Sequence, residues 1–133
     1  MRRLAVLLAL VATFAATATA EARQLVRYDV GGGIGGRSDR LAIERDGSAR
    51  QRGDAGSHDF MVSSKQLRAL KRELKAARFG TLKRRYEPDH QVFDGITQVV
   101  RYGGRSVSVS SGAEPPARFR RVIRRLSRLM RYR

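Results

Sequence analysis

From Leu25 to Val30 apolar and polar positions alternate, with Val26, Tyr28 and Val30 on one side and Arg27 and Asp29 on the other, the period of a strand with one buried face. Gly31-Gly32-Gly33-Ile34-Gly35-Gly36 breaks the pattern and reads as a wide hairpin loop whose backbone needs positive φ. Alternation resumes over Arg40 to Arg45 around Leu41 and Ile43. Asp46-Gly47 then marks a two-residue hairpin, with a return strand near Ala49 to Arg52. Gly53 to Ser57 is polar and reads as a loop or irregular strand before apolar character returns at Phe60 to Val62.

The period then changes. Ser63 with Gln66 fits a capping box, and Leu67, Leu70, Leu74 and Ala77 recur at helical spacing up to Phe79, with Gly80 as a left-handed stop. In the basic run Lys83 to His90, Pro88 and the charge density predict no regular structure. Ile96 to Tyr102 and Arg105 to Ser111 flank Gly103-Gly104, a hairpin with Val107 and Val109 on one face and Ser106, Ser108 and Ser110 on the other. Pro115 and Pro116 preset the first turn of a last helix with the stripe Phe119, Val122, Ile123, Leu126, Leu129 and Met130. The predicted order is βββαββα. Hairpins with two helices, rather than alternating β and α, give an α+β fold: an antiparallel sheet of about five strands with both helices packed on one face. The expected core joins Leu67, Leu70, Leu74, Phe119, Val122, Ile123 and Leu126 to a sheet face of Val26, Tyr28, Ile43, Val100, Val107 and Val109.

The start of the chain has a different pattern. Arg2-Arg3, an apolar run from Leu4 to Ala16 and Ala18-Thr19-Ala20 match the three regions of a cleaved secretory signal, and the run falls short of the ~20 residues that span a bilayer. The expected organisation is a signal peptide over 1–20 and one α+β domain over 21–133, secreted or periplasmic. The whole chain of 133 residues has a formal charge of +16; loss of Arg2 and Arg3 with the signal leaves +14. A charge of that size sets up a long-range positive field.

With no cysteine, disulfides, thiol nucleophiles, zinc ribbons and thiolate-held clusters are excluded. Gly31, Gly33 and Gly36 satisfy G-x-G-x-x-G formally, but a strand follows them rather than the helix whose N-terminus would hold a pyrophosphate. His58-Asp59 and Asp89-His90 with Asp94 are the histidine-carboxylate neighbours, and two histidines 32 residues apart offer no zinc-binding spacing. The expectation is a non-enzymatic protein without catalytic residues, metal or cofactor. Two features remain. Ile34 is an apolar residue displayed in a glycine loop. Arg121, Arg124, Arg125 and Arg128 stud the last helix, where they could meet phosphate or lipid headgroups.

At Gly32-Gly33-Ile34-Gly35-Gly36 the chain resembles the G-G-F-A-G segment after the first strand of emfourin-like proteins, small bacterial inhibitors of thermolysin-type (M4) metalloproteases. Leu67 to Phe79 followed by Leu82 is similar to that family's helix ending in F-x-x-L. Asp94 precedes a hairpin containing Gly103-Gly104-Arg105, and Pro116 opens a closing amphipathic helix. The likeness runs over about residues 25 to 130. Ile34 stands in place of Phe, Gly35 in place of Ala, Lys83 follows Leu82 where Pro is common, and Asp54 to Asp59 is a longer, more polar insertion. The resemblance implies a monomeric protein-binding module that inhibits an M4-type metalloprotease through Gly32, Gly33, Ile34, Gly35 and Gly36. The alternative is a basic module that binds an anionic polymer or lipid surface through Arg121, Arg124, Arg125 and Arg128, with no specific nucleic acid as partner.

Overall fold

The computed structural model describes residues 23–130; the signal expected over 1–20 lies outside the described residues. In chain order the elements are β1 (Gln24–Gly32), β2 (Arg37–Glu44), β3 (Ser48–Gly53), β4 (Gly56–Met61), α1 (Ser64–Ala76), a 3-10 turn (Phe79–Thr81), β5 (Arg85–Tyr86), β6 (Ile96–Tyr102), β7 (Arg105–Ser110) and α2 (Ala117–Leu129). The strands form a single sheet in the order β4-β3-β2-β1-β6-β7-β5. All pairings are antiparallel except that of β5 with β7.

The α+β class holds, but there are seven strands rather than about five, and the order is ββββαβββα. The polar stretch after β3 is a hairpin: Gly53 faces Gly56 across the two-residue turn Asp54-Ala55. β4 is an edge strand exposed at nearly every position, so no apolar alternation betrays it. In the basic segment expected to be irregular, Arg85 and Tyr86 pair with Ser108 and Val109, helped by the Ser108 amide donating to the Arg84 carbonyl at 2.9 Å. The β2–β3 connection is three residues, Arg45 to Gly47, not two: the Gly47 amide donates to the Glu44 carbonyl at 3.1 Å with Gly47 at φ 96°. The Ser48 amide donates to Asp46 Oδ1 at 2.8 Å and holds that carboxyl below its ordinary value.

Strand register explains which face is covered. Val26 lies opposite Ile43 and Tyr102, Tyr28 opposite Leu41 and Val100, and Val100 opposite Val107. This face, with Val109, meets Leu70 and Leu74 of α1 and Phe119, Val122 and Leu126 of α2 in a continuous buried core, with Leu67 and Ile123 partly buried at its rim. The Tyr28 hydroxyl donates to Gln98 Oε1 at 2.6 Å, so its polar end is satisfied.

The capping box forms as the sequence predicts: Ser63 Oγ accepts from the Gln66 amide and Gln66 Oε1 from the Ser63 amide. The far end of α1 differs. The left-handed residue is Arg78 (φ 52°), not Gly80. On a continued helix Phe79 would point about 200° away from Ala77, into water. Reversal at Arg78 instead buries Phe79, edge-on to Tyr102 at 5.1 Å and to Phe119 at 5.5 Å.

α1 and α2 are tied by the Arg125 guanidinium, which donates to both Glu73 carboxylate oxygens at 2.7 Å. Those bonds and the carboxylate charge hold the Arg125 pKa above its ordinary value. Arg118 donates to the Ala77 carbonyl at 2.9 Å and to Thr81 Oγ1 at 3.1 Å, satisfying the end of α1. The Glu73–Arg125 pair is about a quarter to a third exposed, between the surface and buried regimes. A double-mutant cycle of Glu73→Gln and Arg125→Gln, read by urea unfolding, should give a coupling of about 1 kcal/mol.

Candidate functional site

The glycine segment is tighter than a wide loop. Gly31 and Gly32 remain in the β1–β2 ladder, opposite Ser38 and Arg37, and only Gly33 to Gly36 turns. The Gly36 amide closes this turn by donating to the Gly33 carbonyl at 3.0 Å. Ile34 occupies the apex, 88% exposed, the most exposed large apolar residue among those described.

A second loop lies beside it. Gly32 pairs with Ile96, and the Gly33 amide donates to the Gly95 carbonyl at 3.3 Å, so the β1–β2 turn is fastened to residues 91–95 leading into β6. That loop displays Phe93, 81% exposed, with Asp94 at φ 61°. Its base is fixed from the other side: the Ile96 amide donates to Ser111 Oγ at 2.7 Å, and the Ser111 amide to the Ile96 carbonyl at 2.9 Å. Val92 packs towards Gly112, where an added Cβ would meet the valine at 3.3 Å. Two large apolar side chains therefore project from adjacent loops whose feet are hydrogen-bonded to a sheet. Reading the sequence alone misses Phe93, because Val92-Phe93 follows a proline-containing polar run and belongs to neither alternation nor helical stripe. The available signal was an aromatic residue outside any periodic segment.

The other predicted residues stand elsewhere. Arg121, Arg124 and Arg128 are exposed on α2, whereas Arg125 is held by Glu73. The helix that carries them is docked through its apolar stripe. His58 stacks on Phe60 with ring centroids 5.7 Å apart. Asp59 accepts from Arg50 at 2.7 and 3.0 Å, which holds its carboxyl below the ordinary value. Among the described residues no three His, Cys, Asp or Glu side chains gather in a metal-binding group, and no helix is long and apolar enough to cross a membrane. No protein-family model and no curated protein matches this chain.

Proposed function

We propose that the chain is a non-enzymatic protein-binding module, exported by the signal over 1–20, that inhibits a thermolysin-type metalloprotease with Ile34 and Phe93 as its apolar anchors. The observation that carries this reading is the exposure of both side chains on loops fastened to each other and to the sheet. A few residues that fill well-packed pockets supply most of the energy in such interfaces. A five-glycine loop would lose much entropy on ordering, but here the ladder reaches Gly32 and Arg37 and the turn is already closed, so most of that loss is incurred on folding.

The same turn suits an inhibitor better than a substrate. A protease cleft takes an extended backbone and places one side chain in a specificity pocket. The Gly33–Gly36 turn can offer Ile34 to such a pocket while its i to i+3 hydrogen bond keeps the backbone from running extended through the cleft. Inhibition is then steric occupancy, with the chain's positive charge speeding encounter with an acidic enzyme surface. The likeness of Gly32 to Gly36 to the emfourin-like segment supports this target class.

Titration of the purified protein into a panel of thermolysin-type proteases tests the reading. Stoichiometric inhibition is expected, weakened about 30-fold or more by Ile34→Asp, the loss typical of removing one anchor. Silence across the panel overturns the target; equal inhibition by a folded Ile34→Asp protein overturns the loop assignment.

A further inference from the structure

We propose that the face of the sheet opposite the helices binds an anionic polysaccharide, gripped first between Arg27 and Arg101. The register puts Arg27 directly opposite Arg101 and Arg40 directly opposite Arg52, and the alternation of β3 sets Arg50 on the same face. Like charges directly opposed on neighbouring strands destabilise a sheet. Two such pairs on one face are therefore a feature that stability alone does not account for.

The carboxylates on this face neutralise the arginines only in part. Asp29 accepts from Arg27 Nε at 2.9 Å and Arg40 Nε at 2.7 Å, and Asp59 is engaged by Arg50. Glu44, exposed on the same face of β2, acts on Arg50 from a distance. Five guanidiniums thus face three carboxylates, and Arg52 and Arg101 have no hydrogen-bonded carboxylate among the described residues. Where β1, β6 and the β6–β7 turn meet, an open groove of about 670 Å³ is lined by Gln24, Arg27, Arg101, Gly103 and Ser106. From Arg101 on β6 to Arg50 on β3 the row crosses three strand spacings, ~14 Å, so an extended polymer can lie along it.

The composition of this face selects the kind of polyanion. Arginine forks pair with carboxylate or sulfate oxygens in a bidentate manner. Thr97, Ser106, Ser108 and Ser110 add a field of hydroxyls on the same side, partners for the hydroxyls of a sugar chain. No aromatic side chain lies on these rows to stack against bases, as single-stranded nucleic acid binding would use, and Tyr102, which borders the groove, is packed against Phe79 with ring centroids 5.1 Å apart. Nor do Ala42 and Val99, the apolar residues within the arginine rows, offer the broad apolar face of a membrane-seated element.

The test is calorimetric titration of the protein with a heparin oligosaccharide, a polyuronate oligosaccharide, a deoxythymidine oligonucleotide and phosphatidylglycerol vesicles. Binding to one or both oligosaccharides, weakening steeply with salt, is expected. Arg27→Ala and Arg101→Thr should each reduce affinity about tenfold, the loss of one charge-assisted contact. Arg101→Thr should also raise the thermal midpoint by relieving its opposition to Arg27. Both Ile34→Asp and the combined Arg121→Ala, Arg124→Ala, Arg128→Ala variant should bind as the parent does. Unchanged affinity in folded Arg27→Ala and Arg101→Thr proteins, loss of binding in the α2 variant, or preference for vesicles or the oligonucleotide would overturn the proposal.

Discussion

Phe119→Ala is expected to lower the free energy of unfolding by about 3–5 kcal/mol, the range for emptying a fully buried aromatic site. Its ring is sealed from water in the first turn of α2 and lies edge-on to Phe79 at 5.5 Å and 6.4 Å from the ring of Tyr86. Three segments meet there: the reversal after α1, the short β5 and the start of α2. Relaxation into the void is restricted because Phe79 is held by a left-handed backbone at Arg78 and Tyr86 by the β5–β7 pairing. Leu126→Ala, one further face of the same stripe, should cost about 2–5 kcal/mol. Urea unfolding followed by far-UV circular dichroism measures both. An unchanged midpoint for either would mean that α2 is not docked, and would return its arginines to consideration as a membrane-seated face.

What was legible in the sequence follows from where one face of an element is buried and the other wet. Val26, Tyr28 and Val30 announce β1, and the Phe119–Leu126 stripe announces α2, because each element meets the core along a single line. β4 left no such trace. As an exposed edge it is set by its two-residue turn and by backbone pairing with β3 rather than by burial. β5 is two residues long, too short to show any period. Arg78 escaped for a different reason: a non-glycine residue takes the left-handed conformation only because the burial of Phe79 offsets a cost of about 1–2 kcal/mol, and that burial depends on strands distant in sequence. The site divides in the same way. Ile34 stands out among glycines, whereas Phe93 becomes its neighbour only through the pairing of Gly32 with Ile96, 64 positions apart in the chain.

Gly32→Ala and Gly35→Ala should have opposite consequences, although both alter the same glycine run. Gly32 lies at φ 106°, and a Cβ there would stand 2.6 Å from the Gly95 carbonyl oxygen. Backbone cannot yield to that contact as a flexible side chain would, so the substitution should cost about 3 kcal/mol, the upper end for a strained backbone position. It should also separate the turn from residues 91–95, because the displaced carbonyl is the one that accepts from the Gly33 amide. Gly35 has an ordinary φ and open space around its Cβ position. Alanine there restricts the unfolded chain without straining the folded one and should stabilise by about 0.4–1 kcal/mol. Thermal melts give the stability difference. Inhibition assays well below the lower midpoint isolate the geometric effect, since both proteins are then folded. Gly35→Ala should inhibit as the parent does, while Gly32→Ala should lose affinity because Ile34 and Phe93 no longer hold a fixed spacing. If Gly32→Ala melted and inhibited like the parent, the two loops would not be latched, and the joint anchoring proposed for Ile34 and Phe93 would fail with the latch.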